Sequence, residues 1–158
     1  MGDRTTVTLT VLKKHAPQAK NFFPDEAEEL DRQFITNDEP AVEFTDFTFY
    51  EVNYGELDFL DDLTKAGIPY TSEWESGYSY SAGEQHSRFT ETGGHVLKEF
   101  NELDHYFALS DLLKHIDTPD VIKELILEKK DELEVLPWFN QAEYAKRYLA
   151  KQLITPKE

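Results

Sequence analysis

Apolar residues recur along this chain at two periods, and the change from one to the other divides it. Between Thr5 and Lys13, Val7, Leu9 and Val11 alternate with Thr6, Thr8 and Thr10. Period-two alternation of β-branched residues predicts a strand with one buried side, and His15-Ala-Pro17 ends it. Pro24 followed by Asp25 and Glu26 reads as a helix start, because acids favour the positive end of the helix dipole. Ala27, Leu30 and Phe34 would then share one helical face. Ala41–Tyr54 carries the strongest strand signal. Val42 and Phe44 alternate, and then Phe47 and Phe49 continue on the opposite parity. That slip predicts either a β-bulge near Thr45–Asp46 or a strand buried on both sides.

Leu57, Leu60 and Leu63 sit at helical spacing within Glu56–Ala66, and Gly67 suits a left-handed helix terminus. Tyr70–Glu75 alternates again, Gly77 interrupts it, Tyr78–Ala82 resumes, and Gly83 is expected to turn the chain. His86–Thr90 and Val96–Phe100 flank Gly93-Gly94, a hairpin pattern. Beyond Asn101 the period becomes helical. Ser110 is placed to cap Asp111–Ile116, and Thr118-Pro119 to open Pro119–Leu133, with Val121, Leu125 and the Ile122/Ile126 pair forming an apolar stripe. Asn140 with Glu143 marks the start of a last helix, Gln141–Gln152.

Strands first and helices last predict a single α+β domain over residues 1–158. It should hold a mainly antiparallel sheet of about five strands, with helices on one face and a helical C-terminal third. The expected core comprises Val7, Leu9, Val11, Phe44, Phe49, Leu60, Leu63, Trp74, Phe89, Leu112, Leu125, Ile126 and Trp138.

Composition narrows the function more than the fold. The 158 residues include 16 Lys+Arg against 32 Asp+Glu, a formal charge of −16. The absence of cysteine excludes disulfides, thiolate metal sites and a cysteine nucleophile. No apolar run reaches the roughly 18 residues of a membrane span. The first residues lack the charged-then-apolar order of a signal peptide, so a cytoplasmic protein is expected. Such a surface repels nucleic-acid phosphates and anionic membranes and attracts basic surfaces. The charge is also uneven: between Asp25 and Asp62 fourteen acids face the single base Arg32, a net −13, whereas Trp138–Lys157 is net +3.

Phosphate-cradling glycine motifs, serine nucleophile elbows and zinc-binding histidine pairs are absent, so no catalytic residue, cofactor or metal is expected. Three constellations remain. Glu73-Trp74-Glu75 places two carboxylates at i and i+2 on a strand, where like charge raises one pKa; an exposed strand face with Trp74 pointing into the core is the plainer reading. The segment Tyr78–Arg88 gathers Tyr78, Tyr80, Glu84, His86 and Arg88 between two glycines, a candidate small-ligand site or weak active site; an ordinary hairpin explains it as well. The third is the acidic belt, with Glu26, Glu29, Glu39, Glu43, Asp46, Glu51, Asp58, Asp61 and Asp62 as candidate partner contacts interleaved with aromatic residues. Regularly projected carboxylates imitate a phosphate backbone, and solvated surface charge is the bland alternative.

The leading expectation is therefore a non-enzymatic acidic inhibitor that engages a basic protein surface, as a nucleic-acid mimic blocking a nucleic-acid-handling enzyme. Small acidic inhibitors of restriction or RNA-guided nucleases share this size and charge, a similarity of composition. An immunity-type protein that neutralises a basic toxin fits the same belt, and the Tyr78–Arg88 site stands as the alternative of a different kind. No direct nucleic-acid or membrane contact is expected.

Overall fold

The computed structural model describes residues 3–23, 27–34 and 41–154. Six strands form one antiparallel sheet: β1 (Arg4–Leu12), β2 (Glu28–Phe34), β3 (Val42–Asn53), β4 (Tyr70–Trp74), β5 (Gly83–Phe89) and β6 (His95–Asn101), in the spatial order β2-β3-β1-β4-β5-β6. The helices are α1 (Ala16–Ala19), α2 (Leu60–Lys65), α3 (Leu109–Leu113), α4 (Pro119–Leu133) and α5 (Gln141–Ile154). The α+β class and the helical C-terminal third are thus observed, with one strand more than expected. Among the described residues no helix is long and apolar enough to cross a membrane.

The alternation in β1 decides what each sheet face does. Val7, Leu9 and Val11 are fully buried on the inner face, where Leu9 and Val11 join Phe47, Tyr70, Leu63, Ile68, Ala16, Ala19 and Phe23 in the core. Phe23 anchors an aromatic cluster with Phe47, Phe49 and Phe59 at centroid distances of 5.0, 5.1 and 5.2 Å. The inner face is closed further along by α5, whose Tyr148 ring lies 4.7 Å from Phe89. The Gln141 side chain opens that helix and is fully buried; its amide donates to Phe89 O and accepts from Phe89 N. It therefore pairs with β5 as another strand would. On the outer face, Thr8 and Thr10 neighbour Thr48, Asp46, Glu73 and Thr71, a polar surface crossed at one end by Val135–Trp138.

Several expectations are corrected. Residues 28–34 form an edge strand, not a helix, and every residue of it is exposed. The helix start at Pro24–Glu26 lies outside the described residues. No bulge occurs at Thr45–Asp46: β3 pairs regularly with β1 from Phe44 to Phe49, and Phe44 is buried on the outer face while Phe47 is buried on the inner. Of the two readings of the phase slip, two-sided burial is the one observed. The irregularity comes later, where Tyr50 and Glu51 oppose the single residue Thr6 and Glu51 takes a φ of 58°.

Tyr78–Ala82 is not a strand, and Gly83 does not turn the chain but starts β5 opposite Trp74. A Cβ at Gly83 would lie 2.3 Å from the Trp74 ring, so glycine is what lets the indole lie against the neighbouring strand. Thr118 does not cap α4 through its side chain; its hydroxyl donates to His115 O instead. Ile126, expected in the core, is half exposed, and Leu109, Leu113, Ile116 and Leu127 are also exposed. Phe49, Leu60, Trp74, Leu112, Leu125 and Trp138 are partly buried.

Candidate functional site

Successive residues of β4 point to opposite faces, and each face carries a cleft. Thr71 and Glu73 line an outer cleft of about 300 Å³. Ser72 and Trp74 line an inner cleft of about 770 Å³, bordered by Leu60 and Asp61 at the start of α2.

The outer cleft gathers Glu84, His86 and Arg88, which alternate along β5 and share a face as their parity requires. The Tyr residues expected with them are not there: Tyr78 is 100% exposed, and Tyr80 lies on the inner side. Arg88 is 3% exposed, and the protein engages four of its five N–H donors. Nε donates to Leu136 O at 3.1 Å, Nη1 to Tyr70 O and Ser87 O, and Nη2 to Thr71 Oγ1 at 2.8 Å. The Trp138 ring covers the guanidinium at 3.7 Å. Burial pushes its pKa down to about 9, which leaves it charged at neutral pH. Arg88 therefore clamps the 135–138 segment to the sheet and commits all but one Nη2 N–H within the protein. Trp138 packs edge-on against Phe44 in the same cluster.

His86 is buried beside it. Nδ1 lies 2.9 Å from Thr71 Oγ1, Nε2 has no hydrogen-bond partner, and Glu84 Oε2 stands 3.4 Å from Nε2. Glu84 Oε1 is 3.5 Å from His105 Nε2. Burial lowers the His86 pKa, Glu84 opposes that shift, and Arg88 adds to it. The Glu73 carboxylate directly faces Glu84 across the β4–β5 pair. Although Glu73 is exposed as a whole residue, partial withdrawal of its carboxyl from water, and then the facing Glu84, raise its pKa. The cross-strand pair is thus Glu73 with Glu84, whereas β4 ends before Glu75. Among the described residues, no group of three or more His, Asp or Glu side chains is arranged to hold a metal ion.

Histidine titration gives the fold a pH dependence. His15, His86 and His95 all have lowered pKa values, with burial the largest cause, and that of His15 falls to about 4. Each ring prefers to fold neutral, so its contribution is complete above the unfolded value of about 6.5 and is lost as pH falls below it. For His15 the loss runs down to about pH 4. Urea denaturation across that window should show wild type losing more stability than His15→Gln. Equal losses in the two proteins would mean that His15 titrates normally in the fold.

The acidic belt does not form one face. Glu29 and Glu43 alternate with Asp46 across the sheet, and Glu26 and Glu39 lie outside the described residues. Most of the described belt acids are paired within the chain: Glu29 with Lys20, Glu43 with Lys13, Asp46 with Arg32, Glu51 with Arg4, and Asp62 with Lys65. Asp46 also accepts from Thr10 Oγ1 at 2.6 Å. Asp58 and Asp61 have no ion pair among the described residues, and both line the inner cleft together with Glu56 and Glu99.

That cleft is built by four separate segments. Tyr54 and Gly55 both take left-handed backbone, with φ of 54° and 71°, and swing the chain off β3 toward α2. Asp3 holds the opposite wall, since its Oδ2 accepts from Ser79 N at 2.7 Å and from Ser79 Oγ at 3.1 Å. Trp74 lies between the backbones of Gly55 and Gly83, and its Nε1 donates to Ser81 O at 3.1 Å. The Tyr54 and Tyr80 rings stand 6.3 Å apart. Toward the floor, Tyr70 donates to Gln85 Oε1, and burial first, then nearby Asp61 and Glu99, push its pKa up to about 12. Ser72 is 1% exposed, yet its Oγ and the buried Tyr80 hydroxyl have no hydrogen-bond partner. The belt's count of acids is legible in sequence, but the gathering of Glu56, Asp58 and Asp61 with Glu99, Ser72 and three aromatic rings is not. No known protein family, curated protein or solved structure matches this chain.

Proposed function

We propose that the protein is an acidic, non-enzymatic binding protein that engages a basic surface of another protein, first of all a nucleic-acid-handling enzyme that it inhibits. The observation that carries this reading is the inner cleft, where Asp58 and Asp61 have no ion pair among the described residues beside Tyr54, Trp74 and Tyr80. Paired acids such as Asp46 would have to give up existing contacts to meet a partner; Asp58 and Asp61 would not. On a chain of net charge −16, complementary charge speeds association and sets orientation, while aromatic groups supply buried anchors. The cysteine-free composition fits work in the cytoplasm.

The test is capture of the partner with tagged protein, followed by affinity measurements at low and high salt. Between 50 and 500 mM salt, affinity should fall about tenfold or more, because screening tightens from more than 10 Å toward 3 Å. Reversal of Asp58 and Asp61 to Lys together should slow association. Competition with the partner's nucleic acid separates a mimic from an immunity-type protein bound beside the catalytic site. A partner held equally well in high salt, or through a surface that is not basic, refutes the proposal.

A second reading has its own support, a small-ligand site in the outer cleft centred on Glu84 and His86. His86 Nε2 is buried without a hydrogen-bond partner, and Trp138 forms an aromatic wall. Arg88 offers such a ligand at most one Nη2 N–H, because its other donors are already engaged.

A further inference from the structure

We infer that the inner cleft receives an arginine side chain from the protein partner, with its guanidinium directed to the floor. This rests on the reading above that the partner is a basic protein surface. Three independent features specify the occupant. The first is the floor: Ser72 Oγ is buried without a hydrogen-bond partner, and an orphaned buried polar atom is unfavourable until something bonds it. The Ser72 hydroxyl can accept from an N–H donor. The second is charge: Asp58, Asp61 and two further carboxylates open into one cleft, so a cationic donor is favoured over a neutral one. The third is shape: Tyr54, Trp74 and Tyr80 give flat aromatic surface around the path from rim to floor. A planar, delocalised cation stacks on such rings and still offers five donors, whereas an ammonium is a strongly hydrated point charge. Arginine combines all three properties. At about 770 Å³ the cleft also has room for residues flanking it, as a loop would present them.

The experiment uses the full chain and four probes: N-acetyl-arginine amide, N-acetyl-lysine amide, N-acetyl-norleucine amide and spermidine. Binding is followed by NMR at the indole N–H signals. Trp74 lines this cleft and Trp138 the one on the other side of the sheet, so the second indole is an internal control. The arginine amide should shift the Trp74 signal with millimolar affinity, the lysine amide more weakly, and the norleucine amide not at all. Asp58→Asn with Asp61→Asn should weaken the arginine amide about tenfold, equivalent to 1.4 kcal/mol. Ser72→Ala should weaken it too without loss of fold, since that hydroxyl makes no internal hydrogen bond.

Equal shifts from arginine and norleucine amides overturn the inference, as do shifts at Trp138 alone. Spermidine binding a hundredfold tighter than the arginine amide would make the occupant a free polyamine and also overturn it. The captured partner separates the two levels of the argument. If the Asn double variant leaves partner affinity unchanged while salt still weakens it, the cleft inference fails and the basic-surface reading stands. If partner affinity is independent of salt, the reading itself fails.

Discussion

Replacing Arg88 with alanine is expected to cost about 3 kcal/mol or more of folding stability, measured by urea denaturation. The guanidinium serves acceptors on β4, on β5 and on the segment after α4, and Trp138 covers its face. Truncation leaves Leu136 O and the Thr71 hydroxyl without this donor and opens a cavity beneath the indole. Lysine keeps the charge but not the fork, so Arg88→Lys should recover less than half of the loss. Local detachment of residues 135–138 should appear as well, as faster amide exchange there and a red-shifted Trp138 emission. The informative control is Arg88→Met, which fills much of the same volume. If methionine is as stable as wild type, the hydrogen bonds of the clamp have no net value and apolar packing alone seats the segment.

Phe47→Ala is expected to cost about 3–5 kcal/mol, the range for removing a buried phenyl ring. Phe47 is 1% exposed, and its ring meets Phe23 edge-on. Because β3 is buried on both sides at this point, Phe44→Ala should also be costly although it faces away from the main core; it packs against Trp138 and lies under Arg32. Phe49, only partly buried, should cost less. A Phe44→Ala protein as stable as wild type would make the outer-face cluster a surface ornament and would weaken the argument for the Arg88 clamp with it.

How much of this was readable beforehand depends on the kind of signal. The alternation of Val7, Leu9 and Val11 with threonines is local, and β1 follows it in extent and facing, although Thr10 and Leu12 on the other side are buried too. The hairpin around Gly93-Gly94 and the helices opening at Pro119 and Gln141 were legible for the same reason. β2 was not. Its sequence, EELDRQF, is rich in helix formers and puts apolar residues at helical spacing, so pattern and propensity agreed on the wrong element. Pairing with β3 overrode them, and the charges that imitated a helix surface are those that discourage another chain from adding to a sheet edge. The shared face of Glu84, His86 and Arg88 followed from parity. The absorption of Arg88 into the fold did not, because its acceptors include Leu136 O, 48 residues away. The inner cleft was least legible of all. Its walls come from segments near Tyr54, Trp74, Tyr80 and Asn101, and nothing in the sequence says which carboxylates find an internal cation.

The middle position of β1 also bears on how the chain is made. β1 leaves the ribosome before the other five strands, but its two neighbours end at Asn53 and Trp74. At about 5–20 residues per second, its second partner is complete only roughly 3–12 s after β1 itself. Until β3 is complete the nascent strand carries two open edges and an apolar side, and until β4 is complete one edge stays open. The threonines between its valines and leucine keep the other side compatible with water, which limits stacking on neighbouring nascent chains. Once β1 is paired on both edges, it is the seam that joins the β2–β3 wing to the β4–β5–β6 wing. A chain lacking residues 4–12 would therefore yield two half-sheets with no strand between them.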